Sequence, residues 1–332
     1  MQSKKIVLIS PALEAANNGN WHTAHRWAGF AKTDCDIEVL QKWPSSVTEK
    51  YQAPAHAMLA LHARRSASSI QAWAKVHPNK PLVVVLTGTD LYRDIQSDAS
   101  AQLSLTLASH LVLLQDAGME VLPAKLRPKA RVIYQSASAL SPTVKSTQRF
   151  KAVMVGHLRD EKDPLTFMKA SALSQTASIY FDQIGDGLDV NLAAAARAAA
   201  TQNPRFRWLG GLPRAETRQR IKRAHVLVNS SIMEGGAHVI LEAVQSGTPV
   251  LASRISGNVG MLGADYSGYF NVGDAQQLTT LLQRCATSPE FLAMLQSQCQ
   301  RRADLFAPST ERRLVLNLLH DIFTPLTSKA PL

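Results

Sequence analysis

Two glutamates, Glu234 and Glu242, bracket the stretch Gly235-Gly236-Ala237-His238-Val239-Ile240-Leu241. Glu234 sits in a glycine loop that follows the strand-like run Val226–Asn229. Glu242 falls about two turns into the helix that the pattern predicts over 237–245. Glycines let backbone approach a ligand closely, and the first N–H groups of a helix favour phosphate. A carboxylate in the early turns can accept hydrogen bonds from the vicinal hydroxyls of a ribose. The same spacing also suits an acid near a helix N-terminus followed by a solvated glutamate, so the pair alone leaves both readings open.

Basic residues cluster in the first half. Asn17-Asn18-Gly19-Asn20 leads into His22-Thr23-Ala24-His25-Arg26. A glycine-centred loop feeding a helix suits an anionic group, and His22 and Arg26 share a helix face at i, i+4. An ordinary polar loop with Asn20 as N-cap is the alternative, and His25 could equally be packed. His62-Ala63-Arg64-Arg65 follows a predicted strand. Adjacent arginines repel unless an anion neutralises them, and they oppose the dipole of a following helix. Thr87-Gly88-Thr89-Asp90 follows the run Leu82–Leu86 and could offer backbone donors to a sugar or an acceptor. Ordinary turn chemistry competes with that reading.

Other patterns carry less. Asp34-Cys35-Asp36 resembles a metal-binding acid pair but precedes a short strand, and is expected to be a surface turn. The ten histidines show no ligand spacing with cysteines or acids, so no metal and no resident cofactor are expected. Cys35, Cys285 and Cys299 match no zinc pattern and suit a reduced, cytoplasmic setting as buried thiols.

These groups need a scaffold, and the chain predicts one. Its 332 residues suit two domains. Charged residues are 18% and hydrophobic residues 45%, which excludes a disordered chain. No apolar run approaches the ~20 residues of a membrane span, and no signal peptide is read. The formal net charge is +11, and both halves are positive, which favours anionic ligands. Nucleic acid is not favoured, because aromatics are 6% and scattered rather than interleaved with basic clusters. A basic amphipathic helix at a membrane surface finds no support at 66–77, where Ile70, Trp73 and Val76 share one face and suit core packing. Strand-like and helix-like segments alternate from Lys5 to Tyr134 and again from Lys151 onward. Two successive βα arrays predict two doubly wound parallel sheets, with ligands beyond the carboxyl ends of the strands. The polar stretch 136–148 reads as a linker. The expected domains are 1–148, 149–309 and a C-terminal helix at 310–332 that could cross back to the first.

The second array resembles a known family. Val155-Gly156-His157-Leu158-Arg159-Asp160-Glu161-Lys162, Ile184-Gly185-Asp186-Gly187, the Glu234–Glu242 pair and Ser246-Gly247-Thr248-Pro249-Val250 stand in the order found in family 4 glycosyltransferases of the GT-B fold. That resemblance implies an α/β architecture of two Rossmann-like domains facing a central cleft. It implies that Lys162 contacts the diphosphate of a nucleotide-sugar, that Glu242 holds the ribose, and that Glu234 with Gly235 and Gly236 meets the sugar. The family arginine is His157 here; Arg159 two residues later could supply the missing charge, or His157 itself could contact the phosphate.

The first array narrows the resemblance. The segments from Ile9 to Ala28, Leu61 to Ile70 and Leu86 to Ile95 are similar to the selenosugar synthases of selenoneine biosynthesis. Those enzymes imply UDP-N-acetylglucosamine as donor and selenophosphate as acceptor. They also imply a link to an enzyme that makes selenophosphate and to a downstream selenoneine synthase. On this reading His22, His25, Arg26, Arg64 and Arg65 bind the acceptor. His62, Glu234, Lys162 and Arg159 serve the reaction, and Gly19, Asn20, Thr87 and Gly88 help hold the donor. An ordinary sugar–hydroxyl or sugar–thiol transferase is the alternative.

Overall fold

The structure is a computed structural model that describes residues 4–13, 19–44 and 55–324. The chain forms two compact units, residues 1–135 with 308–332 and residues 136–307. Each is built on a parallel six-stranded sheet. No helix among the described residues is long and apolar enough to cross a membrane.

The first unit runs β1 (Lys4–Ile9), α1 (Gly19–Ala31), β2 (Cys35–Leu40), β3 (Ala57–Leu61), α2 (Ala67–Val76) and β4 (Leu82–Leu86). It continues through α3 (Ile95–Ser97), α4 (Ala99–Leu107), β5 (His110–Leu113), α5 (Gly118–Val121) and β6 (Ala130–Val132). The strand order is β2-β1-β3-β4-β5-β6. Every residue of β3 and β4 is buried, as expected for central strands covered by helices on both faces. Ile70 and Trp73 of α2 pack into one side of this core, whereas Val76 is exposed. Asp34-Cys35-Asp36 is not simply a surface turn. Cys35 and Asp36 begin β2 and pair with Lys4 and Lys5, and Cys35 is buried.

The C-terminal helix Pro308–Phe323 completes the first unit. It buries Val315, Leu318, Leu319 and Ile322 against the face of the sheet that carries Trp27. Glu311 on the same stripe is fully buried. Its carboxylate accepts from Arg26 Nε at 2.6 Å, Arg26 Nη2 at 2.8 Å and Trp27 Nε1 at 2.8 Å. A buried carboxylate is costly unless it is paired in this way, so α1 and the last helix are tied by charge as well as by apolar contact.

The second unit runs β7 (Phe150–Val155), α6 (Pro164–Leu173), β8 (Ile179–Ile184), α7 (Val190–Gln202), β9 (Phe206–Trp208), α8 (Arg214–Arg223) and β10 (Val226–Asn229). Then come α9 (His238–Val244), β11 (Val250–Ser253), α10 (Ser256–Leu262), β12 (Tyr269–Phe270), α11 (Ala275–Thr287) and α12 (Pro289–Gln300). The order is β12-β11-β10-β7-β8-β9. Asp163, Asp189, Asp274 and Ser288 accept from the first-turn N–H groups of α6, α7, α11 and α12, which fixes where those helices begin.

Residues 136–148 belong to this unit rather than to the first. Leu140 N donates to Gln245 O at 2.9 Å, Arg218 donates to Ser138 O, and Lys145 Nζ lies 3.3 Å from Thr248 Oγ1. Their polar composition reflects these contacts along the domain's own surface, not a free tether. All three cysteines are buried and unpaired. Burial pushes the Cys285 thiol up to about 12 and the Cys299 thiol to about 11, so both are inert at neutral pH.

Candidate active site

In the second unit β7 pairs with β8 on one side and β10 on the other, so the loops at their carboxyl ends are neighbours. Gly185 follows β8 at φ +143, and a Cβ there would overlap Gly156 O and His157 N. The two turns therefore meet backbone to backbone, which only glycine permits. His157 is brought over the second turn, where its Nδ1 accepts from Asp186 N at 3.2 Å. The same nitrogen lies 3.4 Å from Asp186 Oδ2. Arg159 is exposed and has no carboxylate partner among the described residues.

Lys162 ends a short 3-10 turn, Asp160–Lys162, and lays its stem over Gly156. Its ammonium donates to Glu234 Oε1. Ser231 Oγ donates to the same oxygen at 2.7 Å. Burial by itself would push the Glu234 carboxyl up. The Lys162 charge and hydrogen bonds from Lys162, Ser231 and Asn229 outweigh that and hold it below the usual glutamate value. Backbone lacing fixes the geometry. Ile232 N donates to Glu161 O at 3.0 Å, and Ser230 Oγ reaches Lys162 O and Asp163 O at 3.1 and 2.8 Å. Gly257 packs so closely on Glu234 O that a Cβ would collide with it. Gly235 is buried and Gly236 half-buried.

Glu242 lies one helical turn beyond His238 on α9, and its side chain is only 6% exposed. Oε1 is 3.2 Å from Arg214 Nε, 3.3 Å from His238 Nδ1 and 4.0 Å from Arg218 Nε. Burial opposes ionisation, but the His238 and Arg214 contacts prevail and keep this carboxyl ionised below its ordinary range. A solvated helical glutamate is thus excluded. Arg214, Arg218, Ser231 and Asn229 were not legible as site residues. His238 was, in principle, through its i, i+4 spacing to Glu242.

The first unit treats the expected acceptor residues unevenly. Asn17 and Asn18 lie outside the described residues. Gly19 and Asn20 form the first turn of α1 rather than a loop before it. His22 is half-buried, and its carbonyl accepts from Arg26 Nη1. His25 is exposed, with its ring 5.4 Å from Trp21. Arg26, expected at the acceptor, instead has its guanidinium bound to Glu311.

His62, expected in the reaction itself, is only 2% exposed and takes a left-handed backbone at φ 70. Its Nε2 lies 3.0 Å from Thr89 Oγ1. The backbone donors of Thr87 and Gly88, expected to face a ligand, both point at Asp90 Oδ1, at 2.9 and 2.8 Å. Asp90 Oδ2 accepts from Ala63 N at 2.9 Å. This fully buried carboxylate therefore stitches the loop after β3 to the loop after β4. Arg64 is paired with Asp98 at 2.9 Å and Asp94 at 3.8 Å. Arg65 is exposed and has no carboxylate partner among the described residues.

Residues 139–302 match the family described as glycosyl transferases group 1. The glycosyltransferase 1 domain-containing protein 1 of Xenopus tropicalis is 28% identical over 173 residues, 50% of this chain and 50% of that protein. The chain thus matches about half the length of that curated relative. Among solved structures, HepE of Anabaena in complex with UDP and glucose has a TM-score of 0.73 at 17% identity, over 96% of this chain and 100% of that one. Sucrose-phosphate synthase of Thermosynechococcus elongatus has a TM-score of 0.76 at 16% identity, over 96% and 99%. The two parallel-sheet α/β domains are those of the GT-B fold.

Proposed function

We propose that this chain transfers a sugar from a UDP-sugar held on its second unit, on the premise that residues 139–302 match the group 1 glycosyl transferases. The Lys162–Glu234 pair carries the reading, together with the buried Glu242 on the next helix. A fixed ammonium, an arginine at 159 with no carboxylate partner among the described residues and the His157 ring are suited to a diphosphate. Glu242 is suited to the ribose hydroxyls, and Glu234 with Gly235 and Gly236 to the sugar. The solved HepE complex contains UDP and glucose, which supports a UDP-sugar over other donors.

As the sugar carbon–oxygen bond breaks, its electron pair goes to the β-phosphate oxygen of UDP. Positive groups already in place stabilise that charge without reorganising, which is where the protein lowers the barrier. The protein's cations serve this role in the proposal, so no metal is required.

The finer proposal is that the donor is UDP-N-acetylglucosamine and the acceptor selenophosphate, a SenB-type reaction. The resemblance of the segments around His22, His62 and Thr87 supports it. Selenium attacks the anomeric carbon, the carbon–selenium bond forms, and UDP leaves. Water then cleaves the selenium–phosphorus bond to release phosphate and a 1-seleno-sugar. The acceptor is already an anion, so it needs little help from a general base.

The test is anaerobic incubation with UDP-N-acetylglucosamine, with and without selenophosphate, followed by mass spectrometry. A hexosamine with a selenium isotope pattern, formed only when both are present, is the expected result. UDP binding with no selenium transfer would move the acceptor to hydroxyl or thiol compounds. Failure to bind any UDP-sugar would overturn the donor reading.

A further inference from the structure

We infer that Asn258 is a positioning residue for the proposed sugar transfer: it fixes the orientation of the Asn229 amide and thereby aims a hydrogen-bond donor at Glu234. The inference rests on the proposed reaction for its activity readout and on hydrogen-bond geometry for the rest.

Asn258 reaches the site from another βα unit. It lies on α10, beyond β11, whereas Asn229 ends β10. Its chain neighbour Gly257 is the glycine pressed against Glu234 O. Asn258 and Ser253 are fully buried, and Asn229 and Ser231 nearly so. A polar cluster this covered must satisfy itself internally.

Two backbone groups decide which way both amides point. A backbone N–H can only donate, and a backbone carbonyl can only accept. Ser231 N donates to the Asn229 side chain at 3.3 Å, so the atom it meets is the oxygen, Oδ1. Ser253 O accepts from the Asn258 side chain at 2.9 Å, so the atom it meets is the nitrogen, Nδ2. Asn258 Nδ2 also donates to Asn229 Oδ1 at 3.2 Å and lies 3.1 Å from Ser253 Oγ. With Oδ1 held from two sides, the Asn229 nitrogen is left for Glu234, to which this side chain gives a hydrogen bond. The reverse orientation would set an amide oxygen against the carboxylate. A second arm runs in parallel. Ser253 Oγ donates to Ser231 O, and Ser231 Oγ donates to Glu234 Oε1 at 2.7 Å. Both arms end on the carboxylate that faces the Lys162 ammonium.

One atom of the cluster argues that the fold alone does not call for this asparagine. Asn258 Oδ1 is buried without a hydrogen-bond partner, a cost that an apolar side chain would avoid. Its two carbonyl-type acceptors would keep other donors. Ser253 O also accepts from Ile255 N at 2.9 Å, and Asn229 Oδ1 from Ser231 N. An apolar residue at 258 would fill the space and leave the Asn229 amide held from one side instead of two. A position that gives up stability for orientation is expected where a site needs the orientation.

The test replaces Asn258 with leucine in the full chain and reads three quantities. Thermal denaturation should give a midpoint within about 4 °C of wild type. The Glu234 carboxyl signal in carbon-13 spectra, assigned by its loss in Glu234→Gln, should titrate about one pH unit higher once its donors are loosened. Transfer from a UDP-sugar should fall about tenfold in kcat, with UDP affinity by calorimetry unchanged. If Asn258→Leu does not fold, Asn258→Ala reads the same quantities. Leu278→Ala is the control, a fully buried residue of α11 in the same unit. It should lower the midpoint and leave the Glu234 signal where it is. A Glu234 titration and kcat identical to wild type in the Asn258 variant overturn the inference. So does a Leu278→Ala variant that moves the Glu234 signal equally, because the role would then be merely structural. A wild type that transfers no sugar while the Asn258 variant still moves the Glu234 signal would sink the proposed reaction and leave the positioning role standing.

Discussion

Lys162 Nζ donates to Glu234 Oε1 across 72 residues of sequence, joining the loops that follow two paired strands, β7 and β10. The pair keeps a carboxylate ionised in a nearly closed position and keeps an ammonium from wandering. A nucleotide-sugar could thus meet its phosphate and sugar contacts already assembled, which is the physical content of preorganisation.

Removing one partner should show this. Lys162→Ala strands a buried carboxylate, so UDP affinity is expected to fall by more than about tenfold. Glu234→Gln keeps the shape and should retain UDP binding while sugar transfer falls. Calorimetry with UDP and a UDP-release assay separate the two effects.

Stability toward acid follows from the same carboxyls. Glu234 and Glu242 both have folded values held below the ordinary 4.5. The unfolded chain therefore binds more protons, and their contribution is fully present above about pH 4.5 and lost as pH falls through the lower folded values. Urea midpoints measured from pH 6 down to 3 should drop more steeply for wild type than for the Glu234→Gln, Glu242→Gln double variant.

Glu311 should matter for stability and not for donor binding. It is fully buried, and Glu311→Ala leaves Arg26 and Trp27 Nε1 without their acceptor. A loss of about 3 kcal/mol is expected for breaking a buried pair. Thermal denaturation reads it, with UDP binding unchanged below the transition.

Lys145 offers an opposite pH signature. Burial pushes its amine down to about 8. A lysine depressed when folded costs most below that value, and the cost fades as pH rises from about 8 toward 10.5. Lys145→Met should therefore raise stability by up to about 3 kcal/mol at pH 7 and by less at pH 10. Chemical denaturation at both values checks the sign.

The sequence by itself determined the two βα arrays, because buried parallel strands such as Leu82–Leu86 must be apolar on both faces. It also determined that Glu234 and Glu242 flank a glycine loop after β10, since both positions lie within one short segment. The partners of those carboxylates were another matter. Arg214 comes to Glu242 from a helix on a different βα unit, and Arg26 goes to Glu311 from the far end of the chain. No local spacing encodes such pairs. Only the folded sheet decided that Arg26 and Arg64 are neutralised while Arg65 is not, and that His62 lies beneath Thr89. Burial and ion pairing depend on what the tertiary structure places alongside, and in this chain they separate the cations still open to a ligand from those already satisfied.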